Sequence, residues 1–375
     1  MHPFPSAMML GGVSGPQPPF KLYAWGYNSN GQLGLGNTTS YASPKQVGSL
    51  LWNSAAAGGA HCVAVRSDGT LWAWGFNTSG QLGDGTTVSK SSPVQIGALT
   101  TWAAAWAGSY FSLATKLDGT LWAWGGNGGG QLGDGTTVSK SSPIQVGALT
   151  DWGNGAASTS NRVLFLKANG TLWAWGNNSN GQLGDGTTVA KSSPIQVGAL
   201  SNWSGVGGGV SFSLASRADG TLWAWGYGAN GRLGDGTTVS KSSPIQIGAL
   251  TNWSQLLSSG AGNYEGGAFA VKTDGTLWAW GQNSYGQLGD GTTVTKSSPV
   301  QIGALTQWNA KRSRTLAMQR NSGGLIRDDG TLWGTGRGSG IGFPAVVNSS
   351  PVQVGASSKW AFISAGRYFG LALTN

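Results

Sequence analysis

Histidine and cysteine are almost missing from this chain. Of its 375 residues two are histidine, His2 and His61, and one is cysteine, Cys62. A disulfide within the chain is thereby excluded, and no CxxC pair offers a metal ligand set. Histidine-based catalysis has a single interior residue to work with. Charge is scarce too: charged residues make up 9% of the chain, with a formal net charge of +9 and one glutamate, Glu265. No run of 18 apolar residues occurs, so a membrane-spanning helix is not expected. Residues 1–19 hold no Lys or Arg, and Pro and Gly break every apolar run there. A secretory signal needs both features, so export is not expected.

What the chain has is glycine, 66 residues, together with 20 tryptophans. Disordered glycine-rich chains lack aromatics, so this balance predicts a packed protein with many turns. The string LWAWG recurs, and its second tryptophan falls at Trp25, Trp74, Trp124, Trp175, Trp225 and Trp280, with Thr335 in the last copy. These positions mark seven units of 49 to 55 residues. Helical periodicity is absent. The third unit holds four strand-like runs, Trp102–Ala107, Tyr110–Thr115, Thr120–Trp124 and Pro143–Val146, separated by Gly, Asp, Asn and Ser clusters. Four strands per unit over seven units predict an all-β, seven-bladed β-propeller of four-stranded blades. In Leu71-Trp72-Ala73-Trp74, the small residues face one way and both indoles the other, which suits blades that interlock. The C-terminal KWAFISAGRYFGLALTN matches the first two strands of a unit, and FKLYAWG from Phe20 supplies the third. One blade is therefore expected to be shared between the two ends of the chain, which hides the sheet edges. The expected organisation is an N-terminal arm, residues 1–19, able to dock on a neighbour, and a propeller over residues 20–375.

The run WGFNTSGQLGDG, Trp74–Gly85, returns as WGYNSNGQLGLG at Trp25–Gly36. With the xGxLxxWG run of each unit, it resembles the RCC1 repeat family (regulator of chromosome condensation type). The resemblance covers residues 20–375 and implies the propeller fold. The family's founder is a nucleotide exchange factor for a small GTPase and binds chromatin through a basic arm; the arm here has no Lys or Arg. Highly uniform, tryptophan-rich repeats are similar to those of bacterial and bacteriophage proteins, where they serve as binding or structural modules.

The residues themselves point away from chemistry. Asp84, Asp134, Asp185, Asp235 and Asp290 sit in G-D-G-T turns, and Asp68, Asp118, Asp219, Asp274 and Asp329 precede Gly-Thr-Leu-Trp. One carboxylate per turn suits a tight turn better than a calcium loop. No strand–GxGxxG–helix context exists, so no nucleotide cofactor is expected, nor any metal or catalytic residue. Lys90, Lys140, Lys191, Lys241 and Lys296 form one basic ring; Arg66, Lys116, Lys167, Arg217, Lys272 and Arg327 form another. Solvated edge charge is one reading of these rings and attraction of an anionic surface is the other. Aromatics interleaved with the basic residues are missing, which argues against nucleic acid.

Differences between units concentrate in two places: the connection between the first and second strands, and the residue after WAWG. Up-and-down strands put both on one face. The candidate partner-binding residues there are Tyr27, Phe76, Tyr110, Asn161, Tyr227, Tyr285, Arg337 and Tyr368. Tyr264 and Glu265 join them, as do Lys311, Arg312, Arg314 and Arg320 of the basic run 311–327. Tyr and Arg are the types that anchor interfaces. The leading expectation is a non-enzymatic structural or adhesive protein of a bacteriophage virion, tail- or capsid-associated. It would bind neighbouring subunits through the arm and a protein or host-surface glycan through the variable face. The alternatives are an intracellular, cytoplasmic regulator that binds a GTPase or another protein, and a secreted or surface inhibitor-type binder.

Overall fold

A computed structural model of the protein describes residues 19–157, 161–258, 267–308, 316–318, 322–337 and 347–374. The described chain is all-β apart from one 3-10 turn at Ala229–Gly231. Nine strands lead in: β1 (Phe20–Gly26), β2 (Tyr41–Ala57), β3 (His61–Arg66), β4 (Leu71–Gly75), β5 (Lys90–Gln95), β6 (Trp102–Ala107), β7 (Phe111–Lys116), β8 (Leu121–Gly125) and β9 (Lys140–Gln145). Strands β6 to β9 form an antiparallel four-stranded sheet in chain order. Four more such sheets begin at Trp152, Trp203, Trp253 and Leu316. The expected strands of the third unit lie within a residue of those observed, except the fourth. It begins at Lys140 rather than Pro143. Proline cannot donate to a ladder, but β9 is an outermost strand whose free edge needs no donor.

The sixth sheet has seven strands and holds both ends of the chain. Its order is Trp360–Ala365, Phe369–Thr374, β1, β2, β3, β4, β5. Strand β1 pairs antiparallel with Phe369–Thr374 from Lys21 opposite Thr374 to Gly26 opposite Phe369. The shared closure expected from the sequence is thus formed by backbone hydrogen bonds. Strand β2 serves twice: Tyr41 to Trp52 pair with β1, and Trp52 to Ala57 pair with β3.

Successive sheets pack face to face through the first strands of each unit. Strands β2 and β3 touch β6, β6 touches Trp152–Ala157, and the series continues until Trp360–Ala365 touches β2. The LWAWG alternation explains how they interlock. Trp74 packs with Leu22, Ala24 and Leu33 of the preceding unit, while Leu71 and Ala73 pack with Trp102 and Trp124 of the following one. All six second-position tryptophans are fully buried. Their indoles also latch the units together: Trp74 Nε1 donates to Gln32 O at 3.0 Å, Trp124 to Gln81 O at 2.9 Å and Trp175 to Gln131 O at 3.0 Å. The GQLG string exists to receive this indole. Gly83 has φ +80°, and a Cβ there would lie 2.7 Å from Trp124 Nε1. Only glycine combines that backbone with that approach.

Candidate functional site

The variable residues of five units are tied in pairs. The residue after the third strand donates its backbone N–H to the carbonyl just before the second strand. The pairs are Tyr27 to Tyr368 (3.0 Å), Phe76 to Ala60 (2.9 Å), Gly126 to Tyr110 (2.7 Å), Asn177 to Asn161 (2.9 Å) and Tyr227 to Ser211 (2.8 Å). The invariant glycine between strand and variable residue makes the tie. Gly75, at φ +100°, passes so close to His61 that a Cβ would sit 2.8 Å from its Cα.

Three of these inner loops lie side by side. Gly59 N donates to Gly108 O at 3.2 Å, and Arg367 N donates to Gly59 O at 3.1 Å. Above them runs an aromatic arc. Tyr27 and Tyr368 meet edge to face at 6.3 Å, and Phe76 and Tyr110 meet at 6.2 Å. Arg367 lies 5.3 Å over the Tyr368 ring. Tyr27 is 49% and Tyr110 45% exposed, high values for such large rings. Farther round, Arg232 stacks on Tyr227 at 5.1 Å and donates to Gln282 Oε1 at 3.2 Å. Asn161 adopts φ 56°, and the half-buried Tyr285 donates its backbone N–H to Gln287 Oε1 at 2.9 Å. Arg337 ends the strand Leu332–Arg337 and is exposed. Tyr264, Glu265, Lys311, Arg312, Arg314 and Arg320 lie outside the described residues, as does the arm to residue 18. Arg367 and Arg232 were missed from the sequence. Arg232 carried a signal, because it stands where other units have Gln in GQLG.

His61 lies beneath the arc, fully buried. Its Nε2 is 2.9 Å from Ser112 Oγ, which itself donates to Gln81 O at 2.8 Å. The serine proton is therefore directed away from the imidazole, and Nε2 is the donor between them. That is the reverse of a histidine activating a nucleophile. Burial lowers the His61 pKa to about 3, and burial pushes the Cys62 thiol up. Arg162 takes the position that Phe111 and Phe212 hold in their units. It is buried and donates to the carbonyls of Gly209 and Phe212.

Four of the five uniform lysines are paired within the protein. Lys90, Lys140, Lys191 and Lys296 sit 3.2 to 3.8 Å from Asp84, Asp134, Asp185 and Asp290. Burial alone would raise the Asp84 carboxyl. Hydrogen bonds from Thr86 and Asn77 and the charge of Lys90 outweigh it and hold the pKa below the ordinary value. On the opposite face, Asp68 accepts from Thr70 N and Oγ1. Asn169 replaces that aspartate in the fourth unit and accepts the same two bonds, so the turn uses the oxygen rather than the charge. The second basic ring lies over the first-position tryptophans, with Lys272 Nζ 3.7 Å from the Trp278 ring centre. Among the described residues no group of three His, Cys, Asp or Glu could hold a metal ion.

Comparison with known proteins places this geometry. The RCC1-like domain model matches residues 21–266, and the regulator of chromosome condensation (RCC1) repeat matches 274–311. Yeast RCC1 (Prp20), in a crystal structure with Kap60 bound, superposes with a TM-score of 0.82 at 18% identity. That match covers 99% of this chain and 91% of that one. Human WBSCR16 gives a TM-score of 0.82 at 20% identity over 96% of this chain and 99% of that one. The mitochondrial RCC1 domain-containing protein RUG3 of Arabidopsis thaliana is 29% identical over 196 residues, 51% of this chain. That alignment spans about a third of the plant protein, 32% of its length. With a family model matched over well above half its length, the chain belongs to the RCC1-like domain family.

Proposed function

We propose that the protein is a seven-bladed, non-catalytic propeller that regulates or assembles by binding a protein partner on its inner-loop face. The blade count follows when β2 is taken as two strands of adjacent blades. The seven-stranded sheet then makes two blades beside the five four-stranded ones. The observation that carries the binding reading is the tied pairing of variable residues on one side, with exposed Tyr27 and Tyr110 in one arc. The other side repeats Asp-Gly-Thr turns almost unchanged. A uniform scaffold with one individual face is the build of a recognition module.

The relatives favour the intracellular regulator over the virion component or the glycan binder. Yeast Prp20 was crystallised with Kap60, and Prp20p from Saccharomyces cerevisiae was described together with its binding to Gsp1p and histones. By analogy the partner here is a protein, a GTPase or another. No helix among the described residues is long and apolar enough to cross a membrane.

The test is site-specific photo-crosslinking in extracts of the source cells. A photoreactive amino acid in place of Tyr27, Tyr110 or Tyr368 is expected to trap one protein repeatedly. The same group at Leu99 or Leu149, exposed on the opposite face, is expected to trap none. Adducts from Leu99 and Leu149 alone would overturn the reading.

A further inference from the structure

Five units carry an aspartate and a lysine at matched positions of the outer excursion. The first unit carries Leu35 and Tyr41 instead. The register establishes the match: Lys90 lies opposite Gly75 and Tyr41 opposite Gly26. Likewise Gly85 and Gly36 each donate to a serine carbonyl of the next unit, Ser141 and Ser91. An ion pair has thus been exchanged, at one place, for two apolar side chains that pack on the cluster around Trp52 and Trp74.

A cleft of about 330 Å³ opens beside this exchange, between the first and second units. Its apolar walls are Leu35, Val47, Leu50, Trp52, Trp72 and Pro93. Gln46 and Ser92 add polar groups, and Gly34, Gly36 and Gly48 present bare backbone. The size lies at the lower end of what ligand sites enclose. The connection into Trp52 is one residue shorter than its counterpart, Gly48 to Trp52 against Gly97 to Trp102.

We propose that this cleft binds an uncharged, extended peptide segment of a protein partner, which inserts one aromatic or branched aliphatic side chain. Two observations favour a peptide of this chemistry. Strand β5 is the last in its sheet, with Ser91 O on its edge accepting from Gly36 N, and Tyr41 to Leu51 of β2 pair on one side only, so sheet-edge backbone flanks the cleft. An extended segment can add to such an edge while its side chain fills the pocket. The exchange of Asp and Lys for Leu and Tyr has also removed the fixed charges of the other units. A charged side chain would lose hydration against the apolar walls, and the nearby charge, Lys45 at 5.5 Å over the Tyr41 ring, is solvent-exposed and a weak partner. This surface is distinct from the inner-loop face, and its test is independent of that reading.

The experiment titrates the full chain with capped tripeptides and follows the indole N–H signals of Trp52 and Trp72 by NMR. Ac-Ala-Phe-Ala-NH2 and Ac-Ala-Leu-Ala-NH2 are expected to shift the Trp72 signal saturably; the Lys and Glu analogues are not. The variant L35D/Y41K rewrites the first unit to the pair carried elsewhere and should keep the fold, checked by its thermal melt. It is expected to weaken the apolar peptides at least tenfold. Leu50→Ser, at a half-exposed wall position, is the second variant and should weaken them in the same direction. The proposal is overturned if the peptides shift neither indole, or if charged peptides bind equally well. It is also overturned if the variants bind like the parent, or if free indole saturates the site as tightly as the peptides do.

Discussion

The seam between the second and third units and the seam that closes the chain are built from the same residues but held differently. At the interior seam, Trp124 is buried against Trp102 at 6.5 Å and its indole donates to Gln81 O of the preceding unit. At the closing seam, Trp25 is equally buried and lies 6.1 Å from Trp360, yet its Nε1 has no hydrogen-bond partner among the described residues. The last unit departs from GQLGDGTT in sequence, reading GRGSGIGFP, and from residue 338 to 346 it lies outside the described residues. The closing blade relies instead on the ladder between β1 and Phe369–Thr374. A latch repeated by sequence suffices where the chain is continuous. Where it is not, pairing of the two ends takes over.

The largest effect should come from removing that ladder. Deleting residues 360–375 takes away two of the seven strands of the closing sheet and uncovers Trp25 and Leu22, which are now buried. The expected outcome is aggregation or loss of a single cooperative transition, read by light scattering and calorimetry. An unchanged melt would show that the closing seam contributes nothing.

An acid titration probes the interior seam. His61 bridges the second and third units through Ser112, and its folded pKa is about 3 against 6.5 in an unfolded chain. The folded state therefore binds fewer protons, so stability falls as the pH drops below 6.5 and stops falling near 3. The slope is at most ~1.4 kcal/mol per pH unit. Urea unfolding between pH 6.5 and 4.5 should show it. The substitution His61→Phe, which installs the residue found at positions 111, 212 and 369, should flatten the slope. Equal slopes in the two proteins would remove His61 from the account.

The smallest effect is the difference between two matched substitutions. Trp124→Phe and Trp25→Phe remove similar volume, but only the first removes a hydrogen bond, to Gln81 O, which keeps its bond from Ser112 Oγ. Trp124→Phe should cost about 0.5–1.5 kcal/mol more, the net worth of one hydrogen bond. Equal losses in unfolding free energy would mean that the indole latch adds nothing beyond packing.

Periodicity carried most of the fold. The spacing of LWAWG set the units, the alternation of Leu, Trp, Ala and Trp set the two packing faces, and the split at Phe20 set the closure. Each is a local or repeated pattern, and identical local patterns must fold alike. The pattern places the start of the fourth strand at Pro143, three residues late, whereas the free edge of an outer strand tolerates proline within it.

What the sequence by itself determined was the repeating scaffold and the places where units differ, since both are visible by laying the units side by side. Only the tertiary structure decided which differences meet. Tyr27 and Tyr368 stand more than three hundred residues apart, yet the closure puts them ring against ring. Leu35 and Tyr41 lie in one loop and its following strand, and only the fold brings Trp72 and Pro93 of the neighbouring unit beside them as the far wall of a cleft. Contacts between side chains of different units depend on how sheets twist and pack, and no one-dimensional spacing encodes that geometry.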